Sequence, residues 1–269
     1  MNTLKIAAAV VRAPIGETES NLEKVRHWTK IAGNRGARLI CFPEMNLTGY
    51  CHTTAVEKFA ETIPGPTTAL LTDLAKSEGI TILAGMAEKD SSGKIYIVHL
   101  VAGPDGRLEV FRKLHLAPPE QSVFSPGDDI PLFKVDKTTF GVQLCYDAHF
   151  PELTTRMALD GADVVFVPHA SPSRGMTARD KDQSWMRHLP ARAYDNGIFI
   201  VACNQTGSNG NGLHFPGNAL VIDPSGNILD KKLDDDEGLL VVKLEGTALE
   251  HVRGHRMRYF LTNRRPELY

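Results

Sequence analysis

Three residues at the ends of apolar runs carry side chains whose chemistry is complementary. Glu44 follows LICFP, Lys113 interrupts FRKLHL, and Cys145 closes GVQL just before the polar turn YDAHFPE. A thiol becomes a nucleophile once a base takes its proton, and a carboxylate can be that base. The same carboxyl, now protonated, can hand the proton to a poor leaving group such as an amide nitrogen. The tetrahedral intermediate on the way carries a negative oxygen, which a lysine ammonium and the backbone N–H after the nucleophile can stabilise. Cysteine, glutamate and lysine thus cover nucleophile, acid/base and oxyanion charge without a histidine. Singly, each has an ordinary structural explanation: a small core residue, a capping carboxylate, a solvated lysine. Their shared position at strand ends makes them a set, because in open α/β sheets a site lies beyond the carboxyl ends of the strands.

The elements that must position them alternate along the chain. Leu4 to Val11 reads as a buried strand. SNLEKVRHWTKIAGNRGA reads as an amphipathic helix opened by a Ser20–Glu23 capping box, with Leu22, Val25, Trp28 and Ile31 or Ala32 on one face. ARLICFPE is a strand ending at Pro43-Glu44, GPTTALLTDLAKSEG a helix closed by Gly79, and ITILAGMAE the next strand. Two strands follow around Pro104-Asp105-Gly106, a hairpin signal. TFGVQLCYD is a strand, FPELTTRMALDG a helix with Pro151 at its start and Gly161 after its end, and ADVVFVPHA a strand. PHASPSRGMTARDKDQSW reads as a long loop able to line a pocket. WMRHLPARAYDNG is a helix that Pro190 either kinks or starts. IFIVACNQTG, a hairpin at DPSGN, the strand GLLVVKLE and a polar tail complete the chain. No linker or low-complexity break interrupts this order, so one α/β domain over residues 1–269 is expected.

Composition excludes several alternatives. A formal charge of −2 over 269 residues, with no basic stripe interleaved with aromatics, leaves no footprint for nucleic acid or an anionic membrane. The apolar N-terminal run lacks a basic leader and is cut by Arg12 and Pro14, so a mature cytoplasmic protein is the expectation. Four cysteines without a CxxC pair read as reduced thiols. His251 and His255 stand four apart but lack a third ligand, LDDDEG lacks the ligand spacing of a calcium loop, and neither GNRGA nor GSNGNG joins a strand to a helix. No metal or cofactor is therefore expected.

The segments around the three residues, FPEMNLTGY, FRKLHLAPPEQSVFSPG and GVQLCYDAHFPE, resemble in order the three catalytic segments of the nitrilase superfamily, the carbon-nitrogen hydrolases. WMRHLPARAYDNGIFIVACNQTG, FPGNALVIDPSG and the terminal RRPELY resemble its later segments, so the similarity spans nearly the whole chain. The resemblance implies a four-layer α-β-β-α sandwich of two mixed sheets with Glu44, Lys113 and Cys145 converging at one mouth. It also implies that Glu120 orients the lysine and the substrate, and that the Tyr146 amide faces the developing oxyanion. Family members pair through helices, so a homodimer or higher homo-oligomer is expected, with residues 250–269 a tail used in subunit contacts.

Within the family, aromatic and aspartate after the cysteine go with amidases and carbamoylases, and CYD therefore favours a small amide or N-carbamoyl substrate over a nitrile. Nitrile hydrolysis, acyl transfer to an amine and a non-catalytic binding relative stay as alternatives. The chain departs from the family amidases at two positions: His149 stands where arginine is common, and Gln143 where an aliphatic residue is common. His149 either packs behind the turn or touches substrate. In the loop after the ADVVFVPHA strand, His169, Arg174 and Trp185 are candidate substrate contacts, Arg174 being either solvated or a bidentate receiver of a carboxylate.

Overall fold

A computed structural model describes residues 1–268; Tyr269, the last residue of RRPELY, lies outside the described residues. β1 (Leu4–Val10) explains why the chain folds in layers. Leu4, Ile6, Ala8 and Val10 join one core, Ala7 and Ala9 a second on the opposite face. A strand buried on both faces reads as an unbroken apolar run, and LKIAAAV does so at all but one position. α1 (Thr18–Asn34) packs over it, followed by β2 (Leu39–Cys41), α2 (Pro66–Glu78), β3 (Thr81–Lys89), β4 (Ile95–Ala102) and β5 (Leu108–Arg112). The α1 helix begins a turn earlier than its sequence suggests. The Asn21 N–H already donates to the Glu17 carbonyl, and the Asn21 side chain donates to the Pro14 and Leu47 carbonyls instead of leaving Ser20 to cap the helix.

The second half repeats the plan with β6 (Phe133–Val135), β7 (Thr138–Val142), α3 (Pro151–Leu159) and β8 (Val164–His169). Next come α4 (Ala178–Trp185), α5 (Leu189–Asn196) and β9 (Phe199–Asn204). The segment expected as a continuous loop thus contains a helix. The Thr177 hydroxyl accepts the Asp180 N–H and the Asp180 carboxylate accepts the Thr177 N–H, a reciprocal cap written in the sequence as TARD. Pro190 falls in the first turn of α5, where its missing N–H costs nothing. The chain closes with a small hairpin, β10 (Thr206–Ser208) and β11 (His214–Pro216), then β12 (Asn218–Ile222), β13 (Ile228–Leu233), β14 (Gly238–Leu244) and α6 (Gly246–Arg253).

Two six-stranded mixed sheets result, in the orders β14-β1-β2-β3-β4-β5 and β13-β12-β9-β8-β7-β6. They face each other across the larger core, with α1 and α2 covering the first and α3, α4 and α5 the second. This is the expected helix-sheet-sheet-helix sandwich. β1, β2 and β3 are parallel, and two antiparallel steps through β4 bring β5 back to their direction. β7, β8 and β9 are likewise parallel. The carboxyl ends of β2 and β5 therefore share one edge of the first sheet, and those of β7 and β8 one edge of the second.

Candidate active site

Each of those four strand ends delivers one part of a single site. β2 runs through Phe42 and Pro43 into Glu44, whose carboxylate is fully buried. The turn after it lies directly on β3: the Leu47 N–H donates to the Gly85 carbonyl and the Asn46 side chain accepts the Gly85 N–H. A Cβ on Gly85 would stand 2.4 Å from the Met45 nitrogen, so only glycine lets the turn approach this closely. The Glu44 carbonyl is tied by Gln205 Nε2 at 2.8 Å, from the far side of the sandwich.

β5 delivers Lys113, 1% exposed, whose backbone is clamped on both sides by Ile97 and Gly127. Its ammonium donates to Glu44 Oε1 at 2.8 Å and to Glu120 Oε1 at 2.9 Å, leaving one of three N–H donors for another acceptor. Glu120 is fully engaged: Tyr50 Oη donates to Oε1 at 2.8 Å and the Ala117 N–H to Oε2 at 2.8 Å. Burial alone would discharge Lys113, but Glu44 and then Glu120 outweigh it and hold the ammonium above the ordinary lysine range. Burial pushes the Glu44 carboxyl up to about 7, with Lys113 opposing the rise and the Glu120 charge adding to it.

β7 leads to Cys145, the first residue of a 3-10 turn (Cys145–His149). Its φ of +47° places a non-glycine residue in the left-handed region, a strain of about 1–3 kcal/mol that persists only where the surroundings impose it. Asp147 is one source of that constraint. Fully buried, it accepts the Leu144 N–H at 3.0 Å through one oxygen, and the His115 N–H at 2.8 Å and ring Nδ1 at 2.9 Å through the other. One carboxylate therefore ties the cysteine turn to the segment that follows Lys113. Arg192 braces the turn from α5 by donating to the Ala148 and His149 carbonyls. Burial and the Glu44 charge hold the Cys145 thiol above its usual range, Lys113 opposing them, so the resting group is a thiol.

β8 supplies a backbone donor. The Ala170 N–H, one residue past the strand, donates to Glu44 Oε2 at 2.9 Å. Above these groups opens a cavity of about 580 Å³ whose wall includes Tyr50, Glu120, Cys145, Tyr146, Ala170 and Lys181. His149 and Arg174 also line it. His169 and Trp185 do not. Both are 3% exposed, with their rings 4.4 Å apart, because the last residue of β8 turns into the core and the last residue of α4 packs its indole there. Tyr50, Ala170, Lys181 and Gln205 carry no signal singled out in the sequence, and Asp147 stands out there only as a mark of substrate class, not as the brace of the turn. The Thr177–Asp180 capping signal would have placed Lys181 on a helix next to the candidate loop.

An acid, an ammonium and a half-buried thiol meeting at the strand ends of a two-sheet sandwich define the class to which the comparisons also point. The chain belongs to the carbon-nitrogen hydrolase family, whose model matches residues 7–253. It is 32% identical over 270 residues to a nitrilase of Pyrococcus abyssi, covering 99% of each chain. It is 30% identical over 265 residues to an (R)-stereoselective amidase of a Pseudomonas species, covering 97% of this chain and 92% of that one. A solved structure of a mutant amidase from Nesterenkonia sp. AN1, in which acrylamide has added to the active-site cysteine, superposes with a TM-score of 0.84. It shares 26% identity and covers 98% of both chains. Among the described residues no helix is long and apolar enough to cross a membrane.

Proposed function

We propose that this chain is a thiol amidohydrolase that cleaves the C–N bond of a small amide or N-carbamoyl compound through an acyl-enzyme on Cys145. The observation that carries the reading is the Lys113 ammonium held between Glu44 and Glu120 at the strand ends where Cys145 opens its turn. Two carboxylates and one ammonium leave a buried cluster one negative charge in excess, so a proton is retained among Glu44 and the thiol. Substrate binding sets that proton moving. Cys145 Sγ passes it to Glu44 as sulfur bonds to the carbonyl carbon, and the oxygen, now negative, takes the free Lys113 N–H and the Tyr146 backbone N–H. Glu44 then gives the proton to the nitrogen, the C–N bond breaks, and the amine or ammonia leaves a thioester. Water attacks the thioester while Glu44 takes one of its protons. The acid departs and the proton returns to the sulfur.

Glu120 has no free role in proton transfer, since both its oxygens are occupied, and it acts by positioning Lys113. The cysteine adduct in the Nesterenkonia amidase supports the nucleophile, and the Pseudomonas amidase supports the bond cleaved. The Pyrococcus relative named as a nitrilase favours a second reading, nitrile hydrolysis at the same site. Asp147 faces away from the cavity, into the turn, so its own bearing on substrate class is indirect, whereas Tyr146 of CYD lines the wall. Ammonia release from amides, carbamoyl compounds and nitriles sharing one acyl group decides between the two. An amide or carbamoyl advantage of roughly a hundredfold in kcat/KM, about 2.7 kcal/mol, is expected; equal rates or a nitrile preference would move the assignment to nitrilase.

We further read the chain as one catalytic domain that works in the cytoplasm, consistent with its free cysteines, and assembles as a homodimer or larger. Leu159, Tyr194, Phe260 and Met257 expose apolar surface on α3, on α5 and in the tail, which supports pairing through that face.

A further inference from the structure

Lys181 is a buried cation without a carboxylate partner among the described residues. Its residue is 6% exposed on the cavity wall, and its ammonium donates only to neutral oxygens, Ser171 Oγ at 2.9 Å and the Pro172 carbonyl at 3.3 Å. The acids beside it on α4 are engaged elsewhere. Asp180 caps its own helix through Thr177, and Asp182 accepts from Lys231 Nζ at 2.8 Å. Glu120 lines the same cavity, but Lys113, Tyr50 and the Ala117 N–H occupy it. Arg174 lines the cavity too, with no ion pair among the described residues; burial lowers the Lys181 pKa, the Cys145 charge opposes that and the Arg174 charge adds to it. Among the described residues, two cations thus face one cavity with no free carboxylate to meet them. A buried charge is costly unless paired, and a site that keeps one is complete only when a ligand brings the partner.

We propose that Lys181, with Arg174 beside it, forms an anion subsite that receives a carboxylate carried by the substrate. The proposal rests on the amidohydrolase reading for the reaction and narrows its substrates to carboxylate-bearing amides or N-carbamoyl compounds. Position sets the length. Ser171 and Pro172, which hold the Lys181 ammonium, are the two residues after Ala170, whose N–H binds Glu44. Two steps of 3.8 Å between successive Cα atoms keep the residues that hold the ammonium within about 8 Å of Ala170, so the arm joining carbonyl and carboxylate is short, a few methylenes at most. The carboxylate can sit on the acyl chain, as in the monoamide of a five-carbon dicarboxylic acid, or on the leaving amine, as in an N-carbamoyl amino acid.

Binding to a Cys145→Ala protein, read by calorimetry, tests this without turnover. Glutaramate is compared with butyramide for the acyl side, and N-carbamoyl-β-alanine with N-propylurea for the leaving side. In one of the two pairs the charged member should bind at least about tenfold tighter, as a charge-assisted contact implies, and that pair identifies which side carries the carboxylate. Lys181→Met in the same background should shrink the preference to below about threefold and Lys181→Arg should keep most of it, since Arg also donates charged N–H groups. Arg174→Gln, at an exposed position, should weaken the preference several-fold even if Lys181→Met does not fold. Equal binding within both pairs, or a preference unaffected by these changes, would overturn the proposal. Ammonia release from butyramide by the unaltered protein tests the parent reading separately. Hydrolysis without charge preference removes the subsite alone, whereas charge-dependent binding through Lys181 without hydrolysis of any amide removes the reaction and leaves the subsite.

Discussion

The Lys113 ammonium stands 2.8 Å from Glu44 Oε1 with both side chains wholly buried, and in the proposed mechanism this pair holds a Glu44 proton that can move near neutrality. Burial and the neighbouring Glu120 charge raise the carboxyl and the lysine opposes that rise, leaving it at about 7.

The first consequence is a pH dependence. In the proposed mechanism Glu44 accepts the thiol proton, which it can do only when ionised, so the acid limb of kcat/KM should bend near pH 7 and fall about tenfold per unit below it. Alkylation of Cys145 by iodoacetamide should follow the same limb, because it needs the same proton acceptor. In Glu44→Gln the limb should disappear and alkylation should be slow at every pH up to 8. A limb unchanged by that substitution would assign it to another group.

Lys113→Met separates catalysis from stability. Loss of the oxyanion donor should cost about 3 kcal/mol or more in the barrier. It also leaves two buried carboxylates without their cation, a penalty of roughly 3–5 kcal/mol when both are ionised. With the lysine gone the folded pKa of Glu44 rises further above its unfolded value. The variant should therefore be most stable in acid and lose stability as pH rises from about 5 upward. Denaturant titrations at pH 5 and pH 8 measure this, and equal stabilities would contradict the buried cluster.

Glu120→Ala tests the positioning role. The Glu120 charge raises Glu44, so removing it should move the acid limb below pH 7 while kcat falls at least about tenfold, as a lysine held from one side misses the developing oxyanion. A fall in kcat with no movement of the limb would mean that Glu120 acts through folding alone.

Asp147→Ala addresses the strained turn. It strands the buried Leu144 N–H and the half-buried His115 N–H, at about 1–3 kcal/mol for a buried donor, and frees Cys145 to leave its left-handed conformation. A drop in melting temperature with slower alkylation is expected. Full activity with lowered stability would make Asp147 a fold residue only.

Much of this was legible in the sequence because both-face burial writes itself as unbroken apolar runs. LKIAAAV, VVFVPH and FIVACN are all strands, and Glu44, Lys113 and Cys145 are polar residues just past the ends of such runs. Glu44, Lys113 and Cys145 could be found that way. Side-chain direction could not. His169 and Trp185 sit in the right segment but point inward, a fact decided by the register of β8 and by α4, a helix within the segment that reads as loop in the sequence. The same omission hid Lys181: the local TARD cap engages Asp180, but nothing local says that Asp182 binds Lys231. Tyr50, Ala170 and Gln205 reach Glu44 or Glu120 across 70 to 161 residues of chain, contacts that only the packed sandwich creates.

The most direct measurement is intact-protein mass spectrometry after rapid acid quench of the enzyme with a slowly turned-over amide. A mass increase equal to the acyl group minus one hydrogen, mapped to the peptide containing Cys145, absent in Cys145→Ala and accompanied there by loss of turnover, is the predicted result. Retention of appreciable turnover by Cys145→Ala, or an adduct on any other residue during turnover, would contradict the acyl-enzyme mechanism.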